Sequence, residues 1–180
     1  MTTTIEALEP GHLDALGRFL EELPEGDRTF IKEDLSDPAC AASWVRGEGR
    51  ARRWAAVDPD REILGVVFLA SLTGWSSHVG DIRLVVAAAA RGHGVGRALA
   101  SHAVVAAAEA GLAKLVVEVV AEQEPAVRMF TELGFVGEAL LRDHIRDRSG
   151  SLRDLLVLAH FADDNWSAMA SLGLGDEVPG

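Results

Sequence analysis

The feature that most constrains the fold is a glycine-rich loop between an apolar stretch and a helical stretch. The loop reads "ARGHGVGR" over residues 90–97, with "IRLVVAAA" before it and "ALASHAVVAAAEAG" after it. A second apolar stretch, "KLVVEVV", begins at Lys114. A strand, a helix and a strand in this order need a crossover connection, and such connections join parallel strands. The chain is therefore predicted to contain a parallel pair of strands with glycines at one end.

The other segments predict a mixed sheet around that pair. A short strand and two helices are predicted before the strands "RRWAAVD", "EILGVVFLAS" and "HVGDIRLVV". After the parallel pair, "PAVRMFTEL" predicts a helix, and "FVGEALLRDHIRD" with "LRDLLVLAHF" predicts a closing hairpin. Strands in hairpins pair antiparallel. The predicted class is α/β of the α+β type, with a mostly antiparallel sheet of about seven strands and about four helices.

Length and charge narrow the function. The 180 residues suit one domain, predicted over residues 1–161, with a weakly periodic tail at 162–180. The net charge of −11 argues against nucleic-acid binding and is compatible with a cationic substrate. The single cysteine, Cys40, fits a reducing compartment. The start has no secretory pattern, and no apolar stretch reaches the roughly 20 residues of a membrane span. We expect a cytoplasmic protein without a membrane partner or metal.

The glycines before the helix predict an anion site. The first amides of a helix have no partner within it and carry partial positive charge, and glycines let a phosphate approach them. Arg91 and Arg97 can add charge-assisted bonds. The Walker pattern is excluded, because no lysine with Ser or Thr follows the second glycine. A dinucleotide fingerprint would use Glu118 for the ribose, but both registers fail at Arg97 or Leu99. A plain turn remains the alternative.

Two motifs together resemble those of the GNAT superfamily of N-acetyltransferases. "RGHGVG" after "IRLVV" is similar to the acyl-CoA loop of that family, Arg/Gln-x-x-Gly-x-Gly/Ala. The stretch "VVEVVAEQEPAVRMFTELGF" resembles its second signature through Ala126, Phe130 and Leu133-Gly134-Phe135. The predicted element order also agrees with that fold to about residue 161. The resemblance implies a GNAT-like sheet whose central parallel strands splay apart, and an enzyme that uses acetyl-CoA as cosubstrate.

The resemblance also implies which residues bind the cosubstrate. The strand before the loop is expected to pair through its main chain with the pantetheine arm, and the loop is expected to hold the pyrophosphate. The thioester is expected in the gap between the strands that end near Val86 and Glu118. The candidate acetyl-CoA-binding residues are Leu84, Val85, Val86, Arg91, Gly92, His93, Gly94, Val95, Gly96, Arg97, Gln123 and Phe130.

Acyl transfer to an amine needs a group that accepts a proton. A lysine-like amine is neutral in only about one molecule in a few thousand at pH 7. Glu118 is the first candidate base, because it is an acid in an apolar strand where related enzymes carry a catalytic glutamate. We expect burial to raise its pKa. Asp81, on the neighbouring predicted strand, is the rival base. For both carboxylates the structural alternative is a solvated or ion-paired strand residue.

The acid that protonates the leaving thiolate is missing from its usual place. The family usually uses a tyrosine there, but this chain has Phe130 and no tyrosine at all. A thiol with a pKa near 8.5 is a tolerable leaving group as thiolate. His144 on the closing hairpin is the candidate substitute, and a structural or solvated histidine is the alternative. Gln123 stands where the family carries an asparagine.

The leading hypothesis is an N-acetyltransferase whose acceptor is a primary amine, on a small molecule or on a protein as a lysine or N-terminus. Attack is expected to be direct, in a ternary complex. The alternative is a catalytically weak acyl-CoA-binding sensor of the same fold. The acidic segment around residues 21–34 could attract a cationic acceptor, although such a run is typical of a solvated helix face. A homodimer is compatible with the sequence.

Overall fold

The computed structural model describes residues 2–28, 31, 37 and 39–162 and contains one mixed sheet. Its seven strands lie in the order β1-β2-β3-β4-β5-β7-β6. All neighbours pair antiparallel except β4 and β5, which are parallel. The predicted fold class is confirmed. The strands are β1 Thr4–Ala7, β2 Arg52–Val57, β3 Ile63–Ser71, β4 Val79–Val86, β5 Lys114–Val120, β6 Val136–Arg146 and β7 Leu152–Phe161.

Five α-helices accompany the sheet within the described ranges: α1 Leu13–Glu22, α2 Glu25–Arg28, α3 Ala39–Val45, α4 Val95–Glu109 and α5 Glu124–Glu132. Helix α4 is the crossover between the parallel strands. Its sequence is rich in alanine, a strong helix former that also permits close packing on a sheet. Helix α5 has Pro125 in its first turn, where a missing amide hydrogen costs no helical bond.

The sheet separates two hydrophobic clusters. The larger one joins α4 and α5 to one face of the sheet, with Ile82, Leu99 and Ala103 fully buried. The other joins α1 and α3 to the opposite face, and its largest buried side chain is Trp44. Along β4 the side chains alternate between the two faces, since successive residues of a strand point to opposite sides. This alternation decides which strand residues face the helix α4.

The parallel strands separate before they end. Pairing between β4 and β5 runs from Val79 opposite Lys114 to Ile82 opposite Val117. Strand β4 continues through residues 83–86, and β5 continues through residues 118–120. The predicted splay of the central strands is confirmed, and it opens a gap directly beside the glycine-rich loop.

Two expectations meet the limits of the described residues. The second of the two helices predicted before β2 corresponds to α2, Glu25–Arg28, and residues 29–30 and 32–36 lie outside the described residues. Of the predicted tail, residues 163–180 also lie outside them. None of the helices in the described ranges combines the length and the apolar character that crossing a bilayer requires.

Candidate active site

The glycine-rich loop turns the chain from β4 into α4 through two left-handed residues. Gly92 has φ of 74° and Gly94, the N-cap of α4, has φ of 84°. Residues other than glycine rarely adopt this backbone conformation. The space where a side chain would begin is open at both residues, with no atom within 4 Å. Both glycines therefore satisfy the backbone and leave the surface of the loop uncovered.

The loop presents a run of main-chain donors. Within the described ranges, no backbone bond is donated by the amides of residues 92–97, and the first amide of α4 to donate is that of Ala98, to Gly94 O at 3.0 Å. These amides lie at the N-terminus of a 15-residue helix. Such a terminus carries partial positive charge and binds anions well. The arrangement fits a diphosphate.

Gly96 serves a different purpose from its two neighbours. A side chain there would begin 3.3 Å from Met129 Sδ and 3.5 Å from Val86 Cγ2. Gly96 therefore lets the first turn of α4 pack closely against both α5 and β4. Gly92 and Gly94 are thus required by their backbone conformation, and Gly96 is required by close packing.

The arginines of the loop bind protein groups in this structure. Both Nε and a terminal nitrogen of Arg91 donate to Val86 O, at 3.2 and 3.1 Å, and the same terminal nitrogen pairs with the Asp27 carboxylate of α2. Arg97 pairs with Glu132 of α5 at 2.6 Å. The ring of His93 bonds to Arg91 O at 2.8 Å. The anion-binding character of the loop thus resides in its amides, while both guanidinium groups are engaged by neighbouring groups of the protein.

The main chain of β4 presents polar groups to the gap. His78 O accepts from the amides of Ala113 and Lys114 ahead of β5, whereas the amide of Ala87 donates to Leu64 O beside β3. The direction of the main-chain N–H and C=O groups alternates along a strand. In β4 these groups therefore point toward β5 at even-numbered residues and toward β3 at odd-numbered residues. Leu84 and Val86 therefore direct main-chain groups into the gap. The main chain of Val85 faces Val66 of β3 instead.

Glu118 is the first residue of β5 beyond the paired region. Its neighbour Val117 is the last residue opposite β4, and Glu118 itself lies opposite Val157 of β7. The side chain is exposed, so the burial predicted for it was wrong. The reason is that Glu118 lies on the same face of the sheet as Asp81, whose side chain is also accessible. The opposite face is the one buried under α4.

Asp81 and Arg83 share that open face. They form an ion pair at 3.6 Å, and the Arg83 guanidinium lies 5.3 Å from the centre of the Phe68 ring. Residues two apart along a strand point to the same side of the sheet, which places both side chains on this face. Asp81 pairs in register with Val116, two residues before Glu118. The two candidate bases are therefore near neighbours on adjacent strands.

The other candidate residues are more dispersed. His144 is exposed on β6, two strands from Glu118 and beside the residue that pairs with Arg153. Strand spacing and rise put it about 15 Å from Glu118 along the sheet. Phe130 is 3% exposed and packs edge-on against Phe135, with ring centres 5.1 Å apart. Phe130 lies on the inner face of α5, and its apolar ring packs in the hydrophobic core.

Gln123 is half-buried at the N-terminus of α5. Its carbonyl accepts from the amides of Ala126 and Val127, at 2.9 and 3.1 Å, and its own amide donates to Val120 O. The main chain of Gln123 thus ties the end of β5 to α5. Across the described residues, no cluster of three or more metal-ligating side chains occurs.

Comparison with known proteins identifies the family. The model of the Acetyltransferase (GNAT) family matches residues 17–135. This is more than half of the chain, which therefore belongs to that family. Comparison with curated proteins yields no significant match.

Solved structures with the same fold include three informative neighbours. A GCN5-related N-acetyltransferase from Kribbella flavida is 26% identical, with 88% of this chain and 97% of that chain covered and a TM-score of 0.77. Arabidopsis thaliana NAA60, solved in complex with acetyl-CoA, is 19% identical, with 90% and 99% covered and a TM-score of 0.71. Mutant forms of the spermidine/spermine N-acetyltransferase SpeG from Vibrio cholerae are 20% identical, with 93% and 99% covered and a TM-score of 0.73. At 19% and 20% identity, the similarity to the latter two structures concerns the fold alone.

Proposed function

We propose that this protein transfers the acetyl group of acetyl-CoA to a primary amine, by direct attack in a ternary complex. The acceptor amine belongs to a small molecule, or to a protein as a lysine or N-terminus. The observation that carries the proposal is the gap between β4 and β5 beside a run of main-chain amides that have no backbone partner in the described part of the chain. The proposed domain is residues 1–161, a bound supported by β7, which is the last strand among the described residues and ends at Phe161.

The residues of the loop and of β4 suit acetyl-CoA. The amides of residues 92–97 hold the diphosphate, and the open space over Gly92 and Gly94 leaves room for it. Main-chain groups of Leu84 pair with the pantetheine arm in place of a sheet neighbour, because Val86 O already accepts from Arg91. When bound, acetyl-CoA supplies the acyl group as a thioester. In this proposal the amide of Val86 polarises the thioester carbonyl.

Glu118 accepts the proton that the amine loses. Its side chain is exposed and follows directly on the last residue of β5 that is paired with β4, which favours transfer either directly or through a water molecule. In the step, the amine nitrogen forms a bond to the acyl carbon and the carbon–sulfur bond breaks. The sulfur leaves with the electron pair, and the amine proton passes to Glu118. Asp81 is the second candidate for this role, and its pairing with Arg83 favours a charged, positioning carboxylate.

The leaving sulfur departs as a thiolate. Phe130 has no proton donor, and its ring is buried in the hydrophobic core. A thiol with a pKa of about 8.5 leaves acceptably without a proton donor. His144 is too distant to donate directly. Water is therefore the proton source we assign to the thiolate.

The charges near the gap favour a cationic acceptor. Two carboxylates of the acidic segment are ion-paired, Glu25 with Arg148 and Asp27 with Arg91, so they are poor attractants for a substrate cation. Asp81 and Glu118 lie on the same accessible face of the sheet, next to the point where β4 and β5 part, in a chain of net charge −11. Polyamines deserve a place among the acceptors to be tested, since one structural neighbour is named for them.

The deciding experiment measures thiol release from acetyl-CoA with a panel of amines: spermidine, a lysine-containing peptide and a peptide with a free N-terminus. Glu118→Gln is compared with Asp81→Asn. We expect Glu118→Gln to lower kcat by about 100-fold or more while the Kd for CoA changes less than twofold. Turnover retained in Glu118→Gln and lost in Asp81→Asn would transfer the proton-accepting role to Asp81.

A catalytically weak acyl-CoA sensor is the second candidate function, and the donor-free, buried Phe130 favours it. Calorimetric titration with acetyl-CoA and with NADH separates the possibilities. Tight acetyl-CoA binding with no thiol release for any amine supports the sensor. Binding of NADH in place of acetyl-CoA contradicts both functions.

A further inference from the structure

Positive charge is concentrated in one short stretch of this acidic chain. The segment "RGEGRARR" at residues 46–53 holds four of the 17 Lys and Arg residues, although the net charge is −11. It leads into β2, and its arginines do not all have the same role. Arg46 pairs with Glu48 at 2.6 Å, and Arg53 lies over the ring of Phe68. Arg50 and Arg52 line a pocket.

This pocket lies at the opposite end of α4 from the glycine-rich loop. Its volume is about 210 Å³, and it is bordered by the start of β2, the end of β3, the turn before β4 and the chain after α4. The 15 residues of α4 separate it from the loop by about 22 Å. The pocket is thus distinct from the proposed active site. Its lining residues are Arg50, Arg52, Leu69, Ser71, Ser77, Ala110 and Leu112.

One of the two guanidinium groups is held in place. Arg52 lies 4.8 Å from the centre of the Trp54 ring and donates to Ala106 O at 3.4 Å. Stacking on the indole and the helix carbonyl restrict the side chain to the edge of the pocket. The Arg52 side chain is therefore already ordered before a ligand binds. It loses less conformational entropy on binding, which favours the binding of an anion.

The remaining polar groups of the pocket are available to a ligand. Among the described residues, none forms a hydrogen bond or ion pair with the side chains of Arg50, Ser71 or Ser77. The described residues of the lining include two arginines, two hydroxyl groups and no carboxylate. The carbonyls at the end of α4 do not oppose an anion strongly, because those of residues 106–108 accept amides from residues 110–112.

We propose that this pocket binds a small organic anion, a carboxylate or phosphate monoester that carries a short apolar group. Arg50 and Arg52 bind the anionic group through charge-assisted bonds, and Ser71 and Ser77 add hydroxyl donors. The apolar group rests on Leu69 and Leu112. The volume is below the 300–1,000 Å³ of typical drug-sized sites, so the ligand is small. This site does not depend on acetyl transfer.

The test is calorimetric titration of the full chain with phenyl phosphate, benzoate and inorganic phosphate. Each titration is made with and without saturating CoA, which occupies the N-terminal end of α4. We expect phenyl phosphate or benzoate to bind at one site in both conditions. Arg50→Gln should weaken that binding about tenfold, the typical effect of losing one charge-assisted bond. Arg46→Gln, which removes a nearby arginine outside the pocket, should change it less than twofold.

Three outcomes would overturn the proposal. Equal binding by Arg50→Gln and Arg46→Gln would mean that general positive charge, not the pocket, attracts the anion. Loss of binding in saturating CoA would assign the anion to the amides of residues 92–97. Inorganic phosphate binding as tightly as phenyl phosphate would remove the role of Leu69 and Leu112. Because CoA occupancy is measured separately, failure of the proposed acetyl transfer leaves this result interpretable.

Discussion

The two ends of helix α4 differ in whether their terminal backbone groups have hydrogen-bond partners. At the N-terminal end, the amides of residues 92–97 donate to no backbone carbonyl within the described ranges. At the C-terminal end, the carbonyls of Ala106, Ala107 and Ala108 accept the amides of residues 110–112, at 2.9–3.2 Å. Each end also begins or stops at a left-handed glycine, Gly94 or Gly111.

The difference shows at which end of α4 main-chain groups remain without backbone partners among the described residues. A helix leaves unpaired groups at both termini unless the flanking chain supplies partners. Here the chain supplies them at one end only, and the end without partners opens beside the gap between β4 and β5. The C-terminal end is a closed structural stop, with its neighbouring pocket formed by side chains.

The largest expected effect comes from changing the two glycines in parallel. A valine at either position must adopt an unfavourable φ, and a non-glycine residue there costs about 1–2 kcal/mol. Both Gly94→Val and Gly111→Val should therefore lower the free energy of unfolding by a similar amount. Only Gly94→Val should also weaken acetyl-CoA binding, by about tenfold or more, because it displaces the amides of the loop.

Calorimetric titration with acetyl-CoA and chemical denaturation of both variants make this comparison. Matched losses of affinity would contradict a special role for the N-terminal end, since they would reflect stability alone.

A smaller effect is expected at the ion pair that joins the loop to α2. Asp27→Asn removes the carboxylate that holds the Arg91 guanidinium toward α2. An exposed ion pair contributes about 0.2–1 kcal/mol, so a released Arg91 that turns to the diphosphate should tighten CoA binding about two- to fivefold. Glu25→Gln breaks the neighbouring pair with Arg148 and is the control. If affinity is unchanged or weaker in Asp27→Asn, Arg91 acts as a support for Val86 O and not as a phosphate ligand.

The smallest effect concerns the middle of α4. Burial lowers the pKa of the His102 imidazole, with Glu109 opposing the shift and Arg52 adding to it. The unfolded chain then binds the proton first as the pH falls, so stability present above about pH 6.5 decreases below it. His102→Gln should reduce the slope of unfolding free energy between pH 7 and 5. His93→Gln, at an exposed loop histidine, is the control for the loss of one imidazole.

The measurement is denaturant unfolding at several pH values, and the slope rather than the absolute stability decides. His102 packs against Trp54 with ring centres 5.0 Å apart, so its replacement also changes packing. An unaltered slope would mean that His102 titrates normally and that this part of α4 is more open than the structure indicates.

Most of the fold follows from local patterns. The period of the apolar residues and the positions of glycine and proline predicted the strands, the crossover helix α4 and the closing hairpin. Ala126, Phe130 and the loop motif were enough for the resemblance that the family match confirms. The exposure of Glu118 was predicted wrongly, because an acid between valines resembles a buried strand residue until its opposite face is known.

The sequence alone determined the order of the elements, the parallel pair and the left-handed turn of the loop, since these depend on neighbouring residues and on backbone sterics. The tertiary structure decided where β4 and β5 part, which main-chain groups then face the gap, and that Arg91 meets Asp27 from 64 residues away. Such features arise from packing between distant segments, where energies of many weak contacts add. No local pattern encodes them.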